Sequence, residues 1–107
     1  LSSSQPFELS DTEEAVLQAV DAIPAGQVRS YGEIAEQVGC DPRWVGAIMA
    51  RLGAGTNWWR VVRADGTSAV AERARTHWNA EAIPNDGRRV SPKILRRRAH
   101  APEPPLE

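Results

Sequence analysis

The chain has one cysteine, one methionine, one tyrosine and one phenylalanine in 107 residues. A lone cysteine, Cys40, excludes an internal disulfide framework and a multi-cysteine zinc site, and it makes a reducing compartment the default. The two histidines, His77 and His100, have no metal-ligand spacing. No apolar run approaches the roughly 18 residues of a membrane span, and no signal-peptide pattern is visible. The expectation is a soluble, cytoplasmic monomer without metal or cofactor, associated with the nucleoid in a bacterium. Lysine is scarce too, since twelve of the thirteen basic residues are arginine. Arginine's planar fork suits phosphates and stacks on bases.

Against these shortages stand four tryptophans, two of them adjacent in TNWWRVV, Thr56 to Val62. Neighbouring residues cannot serve one face of a helix or strand, so Trp58 or Trp59 must point away from the core. Charge is unevenly placed as well. Residues 1–55 carry three basic and eight acidic groups, residues 56–107 ten and six. The net charge of -1 therefore hides a more basic second half that leaves room for a local basic face.

The spacing predicts a flexible arm over residues 1–10, a domain over 11–91 and a basic, then proline-rich, disordered tail over 92–107. Ser10 with Glu13 reads as a capping box ahead of Val16, Leu17, Val20 and Ile23, giving a helix over about 11–23. Ser30 with Glu33 opens a second helix that stops at Gly39, and Asp41-Pro42 opens a third that ends near Gly53. Two short helices across a glycine-containing turn form a helix-turn-helix pattern. RVVRADGTSAV then reads as a hairpin around Asp65-Gly66, and Arg88 to Ser91 as a short edge strand. A helix over about 72–81 carries Trp78 as its core anchor. The fold class expected is mainly α, a winged-helix-like helix-turn-helix domain with a short β-hairpin wing.

In order, IPAGQVRSYGEIAEQVG, RWVG and NWWRVVRADG resemble the DNA-binding domain of the O6-alkylguanine-DNA alkyltransferase family, over roughly residues 13–91. The family's Pro-Cys-His-Arg-Val motif aligns so that its nucleophilic cysteine falls at Trp58. That replacement is the mark of alkyltransferase-like proteins, which bind the damaged base and flag it for repair without removing the alkyl group. The resemblance implies that Tyr31 helps rotate the target nucleotide and that Arg43 fills the gap in the base stack. It places Gly46 on a helix entering the minor groove, and Trp58, Arg60 and Val61 in the lesion pocket. It implies a structural role for Glu81, whose cysteine and histidine partners are missing. The implied partners are duplex DNA containing alkylated guanine and nucleotide-excision repair proteins, with no catalysis.

The residues themselves support parts of this. Tyr31 and Arg43 fall in first helical turns, where free N–H groups favour phosphate, and a base reader must occupy the hole it leaves. An indole suits the flat face of a flipped purine, so Trp58 reads as pocket wall and Trp59 as turned toward the core or the domain surface. Trp44, beside Val45, reads as core. The chain also departs from the family pattern. Trp59 stands for the histidine, Asn57 for the proline, GAGT is compressed, the Gly-Tyr pair is absent and the loop from Gly66 to Glu81 is short. Arg73 or Arg75 is a candidate lid contact. Two alternatives stay open: a winged-helix regulatory or docking module without lesion recognition, and an alkyltransferase acting through Cys40, which lies outside the matching motif.

Overall fold

The computed structural model describes residues 10–99, with side chains through residue 95. Residues 1–9 of the expected arm over 1–10, and residues 100–107 of the expected tail, lie outside the described residues. Both capping boxes form. Ser10 Oγ accepts from the Glu13 N–H and the Glu13 carboxylate accepts from the Ser10 N–H, each at 3.0 Å, opening α1 over Asp11–Asp21. Ser30 and Glu33 repeat the exchange at 3.1 and 2.8 Å at the start of α2, Tyr31–Val38. Reciprocal capping satisfies two otherwise orphaned donors at each helix start. Gly39, at φ 89°, ends α2 in the left-handed region. Asp41 then caps α3, Pro42–Leu52, by accepting from the Arg43 N–H at 2.8 Å.

Two apolar clusters make up the core. Val16, Val20, Ile34, Val45 and Ile48 join the faces of α1, α2 and α3. The second cluster gathers Val28, Val62, Ile83 and Val90 around Trp78 of α4, Ala71–Ala80. Trp78 is fully buried, and its indole N–H donates to the Trp59 carbonyl at 2.7 Å. The two clusters meet across a two-stranded parallel ladder in which Arg29–Ser30 (β1) pair with Val61–Val62 (β2). Successive strand side chains point to opposite faces. Val61 accordingly enters the helical cluster and Val62 the cluster of Trp78.

The domain is mainly helical with a small sheet, as expected, but the pairing of that sheet differs. The turn at Asp65-Gly66 forms, closed by Arg63 N–H to the Thr67 carbonyl at 2.8 Å. Its arms do not extend into a wing hairpin: Val61–Val62 pair with β1, and Thr67 bridges to Arg89 instead. The reason is burial, because Val61 and Val62 are 2% and 0% exposed and so belong inside, not in a half-exposed hairpin. Within the segment expected to be a disordered tail, Pro92–Ala99 form α5, whose Ile94 and Leu95 pack on the second cluster. Trp44 is not core. It is 55% exposed, because α3 turns Val45 and Ile48 inward and leaves Trp44 on the outer side. No helix among the described residues is long and apolar enough to cross a membrane.

Gly66 couples the Arg63–Thr67 turn to the second cluster. At φ +87° its carbonyl accepts from the Val90 N–H at 2.9 Å, and a Cβ there would lie 2.6 Å from the Val90 carbonyl oxygen. Gly66→Ala should therefore combine left-handed strain with a backbone clash and cost about 2–3 kcal/mol in chemical denaturation. Gly39→Ala, with φ +89° but open space around it, should cost only about 1 kcal/mol.

Candidate functional site

Between the start of α2 and the start of α4, the outer wall of α3 borders an open cavity of about 620 Å³. Gly46, Met49, Ala50 and Gly53 supply the α3 side. Glycine and alanine at helical spacing keep this wall low, and a Cβ at Gly46 would meet nothing within 4 Å. Tyr31, from the first turn of α2, and Val61, from β2, close the inner end. Trp58 and Arg73 stand opposite α3, with the segment 68–70 at the rim. No acidic residue lines it. Burial raises the Tyr31 hydroxyl above its ordinary 10.0, with the charge of Arg63 acting in the other direction. The phenol is therefore neutral at physiological pH.

The adjacent tryptophans divide their work. Residues Trp58–Arg60 form a single 3-10 turn, which sends the two indoles apart at right angles, interplanar 88°. Trp59 stacks flat on His77 at 4.0 Å between ring centroids and donates its indole N–H to Glu81 at 3.0 Å. Trp58 packs on the second cluster, meets Trp59 and His77 edge-on, and has the Arg73 guanidinium 5.6 Å from its ring centroid. One face of the pair is locked and the other borders the cavity.

Arg60 does not line the cavity, contrary to the sequence expectation. Its Nε donates to both Glu81 oxygens at 3.0 and 3.2 Å, its Nη2 donates to Oε2, and its Nη1 donates to the Ile23 carbonyl at 2.8 Å. These bonds hold its guanidinium at Glu81 and 5.3 Å from the Trp59 ring centroid. Glu81 also accepts from the Gly26 N–H at 3.0 Å. Burial pushes the Glu81 carboxyl upward, but the Arg60 fork, the Gly26 N–H and the Trp59 N–H together outweigh it, leaving it below its ordinary 4.5. The structural role implied for Glu81 is thus the role its geometry has.

Arg43 stands on the outer face of α3 with its side chain 91% exposed and only a 3.4 Å surface contact to Asp41. Tyr31, Gly46, Trp58 and Val61 converge on the cavity, while Arg43 lies outside it at its α3 edge. Of the two lid candidates, Arg73 reaches the cavity, and the short loop still supplies its rim through residues 68–70. Met49 was missed. Its helical spacing reads as core, yet a Cβ on Gly53 would lie 2.7 Å from its terminal methyl, so it arches over that glycine into the cavity. Among the described residues no cluster of His, Cys, Asp and Glu could hold a metal ion. Cys40 sits half-buried beside the first cluster, away from the cavity lining.

A helix-turn-helix whose second helix walls a cavity closed by a following loop is the class of domain these elements define. The sequence profile of the 6-O-methylguanine DNA methyltransferase DNA-binding domain matches residues 11–85, and the chain belongs to that family. The fold is similar to that of S. pombe Atl1 solved with damaged DNA containing O6-carboxymethylguanine. Identity is 28%, coverage 83% of this chain and 97% of that one, and the TM-score 0.68. A second S. pombe ATL structure, in complex with DNA, gives a TM-score of 0.66 at the same identity and coverage. The O6-methylguanine methyltransferase of Mycobacterium tuberculosis is 30% identical, with a TM-score of 0.56 over 74% of this chain and 54% of that chain. No curated protein sequence matches the chain significantly.

The Glu81 network yields a pH prediction. A carboxyl with a depressed folded value contributes stability above its unfolded value, and that contribution disappears as pH falls through the folded value. Glu81→Gln should cost about 3 kcal/mol at neutral pH by leaving Arg60 without its counter-charge. The gap between wild type and variant should shrink as pH falls below 4.5. Urea denaturation at a series of pH values reads both effects.

Proposed function

We propose that this protein is a non-enzymatic reader of O6-alkylguanine in duplex DNA, which draws the damaged base into the cavity beside Trp58 and marks it for repair. The observation that carries this reading is the cavity itself. It is open to solvent, walled by an indole at the position the resemblance aligns with a nucleophilic cysteine, and bounded by a helix with a low, small-residue face. That Atl1 was solved with a damaged duplex supports it. A flipped purine presents two apolar faces and a polar rim, so Trp58 can stack on it while Tyr31 at the inner end crowds the nucleotide out of the helix. Arg43, exposed on the outer face of α3, enters the vacated stack in this reading. Downstream recognition by excision-repair proteins belongs to the same proposal, as do a monomeric state and a cytoplasmic location.

The deciding comparison is a gel shift on matched duplexes with and without one O6-methylguanine. Preference for the lesion is expected, and equal binding would favour a regulatory module instead. Incubation with methyl-labelled DNA should leave no label on the protein. Label on Cys40 would overturn the non-enzymatic reading.

Arg43→Ala should weaken lesion binding about tenfold, and Tyr31→Ala similarly, with Tyr31→Phe retaining most affinity because crowding needs the ring more than the hydroxyl. Unchanged binding by both alanine variants with intact folds would remove these roles.

Trp58→Cys alone should transfer methyl groups poorly, since a free thiol near neutral pH is mostly protonated. Trp59 already donates to Glu81 from the place where a histidine would relay, but an indole has no basic nitrogen. The double variant with Trp59→His should be about a hundredfold faster in single-turnover transfer. Equal rates would mean the thiol is activated by another route.

A further inference from the structure

Trp44 is the one large apolar side chain left exposed among the described residues, at 55%. At that exposure its indole is open to a surface laid against α3. It neighbours Arg43, whose side chain is 91% exposed, in the first turn of α3. At about 100° per residue the order around α3 follows directly. Gly46 and Ala50 face the cavity, Arg43 comes next, and Trp44 lies beyond Arg43 on the side away from the cavity. Ala47, between them on the exposed face, is small enough to let the helix approach a surface closely.

We infer that Trp44 is a second DNA-contacting residue, one that packs on the nucleotide across the duplex from the flipped base. This rests on the proposed lesion reading. If the damaged base occupies the cavity and Arg43 fills its vacated place, whatever lies past Arg43 on the same helix meets the opposite strand. The orphaned base there has lost its pairing partner, so its pairing edge and the sugar beside it are open to the groove. An indole is the side chain best matched to it, and apolar wedges in the minor groove are a recurrent way to hold a distorted step. The positive charge of Arg43 beside the indole favours nucleic acid over an apolar peptide as the occupant of this face. Trp44 thus sets sensitivity to what stands opposite the lesion, while the cavity sets sensitivity to the lesion.

The test is a cycle of two proteins and two duplexes, wild type and Trp44→Ala against O6-methylguanine paired with cytosine or placed across from an abasic site. Trp44→Ala should bind the cytosine duplex about tenfold more weakly. Removing the opposite base should weaken wild type relative to the variant by a similar factor, because the easier extrusion caused by the abasic site is common to both. Trp44→Phe should recover most of the loss, and thermal unfolding of the half-exposed variants should match wild type. An identical response of wild type and Trp44→Ala to the opposite base, in a wild type that prefers the lesion, overturns this inference alone. A wild type with no lesion preference overturns the lesion reading and this inference with it.

Discussion

One carboxylate holds together three parts of the chain that sequence alone leaves far apart. Glu81, at the C-terminal end of α4, accepts hydrogen bonds from Gly26 in the loop after α1 and from Trp59 and Arg60 in the 3-10 turn before β2. Arg60 continues the tie to the Ile23 carbonyl. Charge-assisted bonds of this kind are shorter and stronger than neutral ones, and here the ion pair is largely shielded, with side chains 12% and 14% exposed. A single acidic group therefore fixes the turn that carries both tryptophans. The position of Trp58 at the cavity is a consequence of where Trp59 and Arg60 are held.

The helices were legible because their signals are local. A serine followed three residues later by a glutamate, twice, and an Asp-Pro pair once, each specify a helix start through bonds confined to four residues. The sheet was not legible in the same way. Val61-Val62 beside an Asp-Gly turn carries a true turn signal, but which strand those valines join depends on whether both are buried. That is decided by α1, α4 and Val28, all distant in sequence. Trp44 shows a similar limit. Its neighbour Val45 is fully buried, and adjacency was read as shared fate, whereas one helical step rotates the side chain out of the core.

The family resemblance singles out Tyr31, Gly46, Trp58 and Val61, and these four line one cavity. The site was not legible at Arg60, because an arginine inside a motif has the same appearance whether it faces a ligand or a carboxylate twenty-one residues away. Only the position of Glu81 separates the two. The lid shows the opposite case. Its shortened sequence suggests a gap, yet residues 68–70 still reach the rim because the Gly66–Val90 contact draws the turn before them against the second cluster.

The two halves of the domain carry different mechanical demands, and the tryptophans are distributed accordingly. Trp78 is fully buried and Trp59 is fixed by a flat stack and an indole hydrogen bond, so the half that anchors the site is rigid. The cavity side has Met49, glycines, alanines and a Trp58 that, unlike Trp59, meets the second cluster, the neighbouring rings and Arg73 with no indole hydrogen bond among the described residues. Methionine and small residues adapt to shapes that branched side chains would exclude. A rigid frame behind an adaptable wall fits the lesion-reading role proposed above. A transferase instead needs its nucleophile held within a fraction of an ångström of attack distance. In the proposed reading, Trp58 at the position that the resemblance aligns with the nucleophile carries no such constraint, so small and flexible residues on the facing wall cost the function nothing.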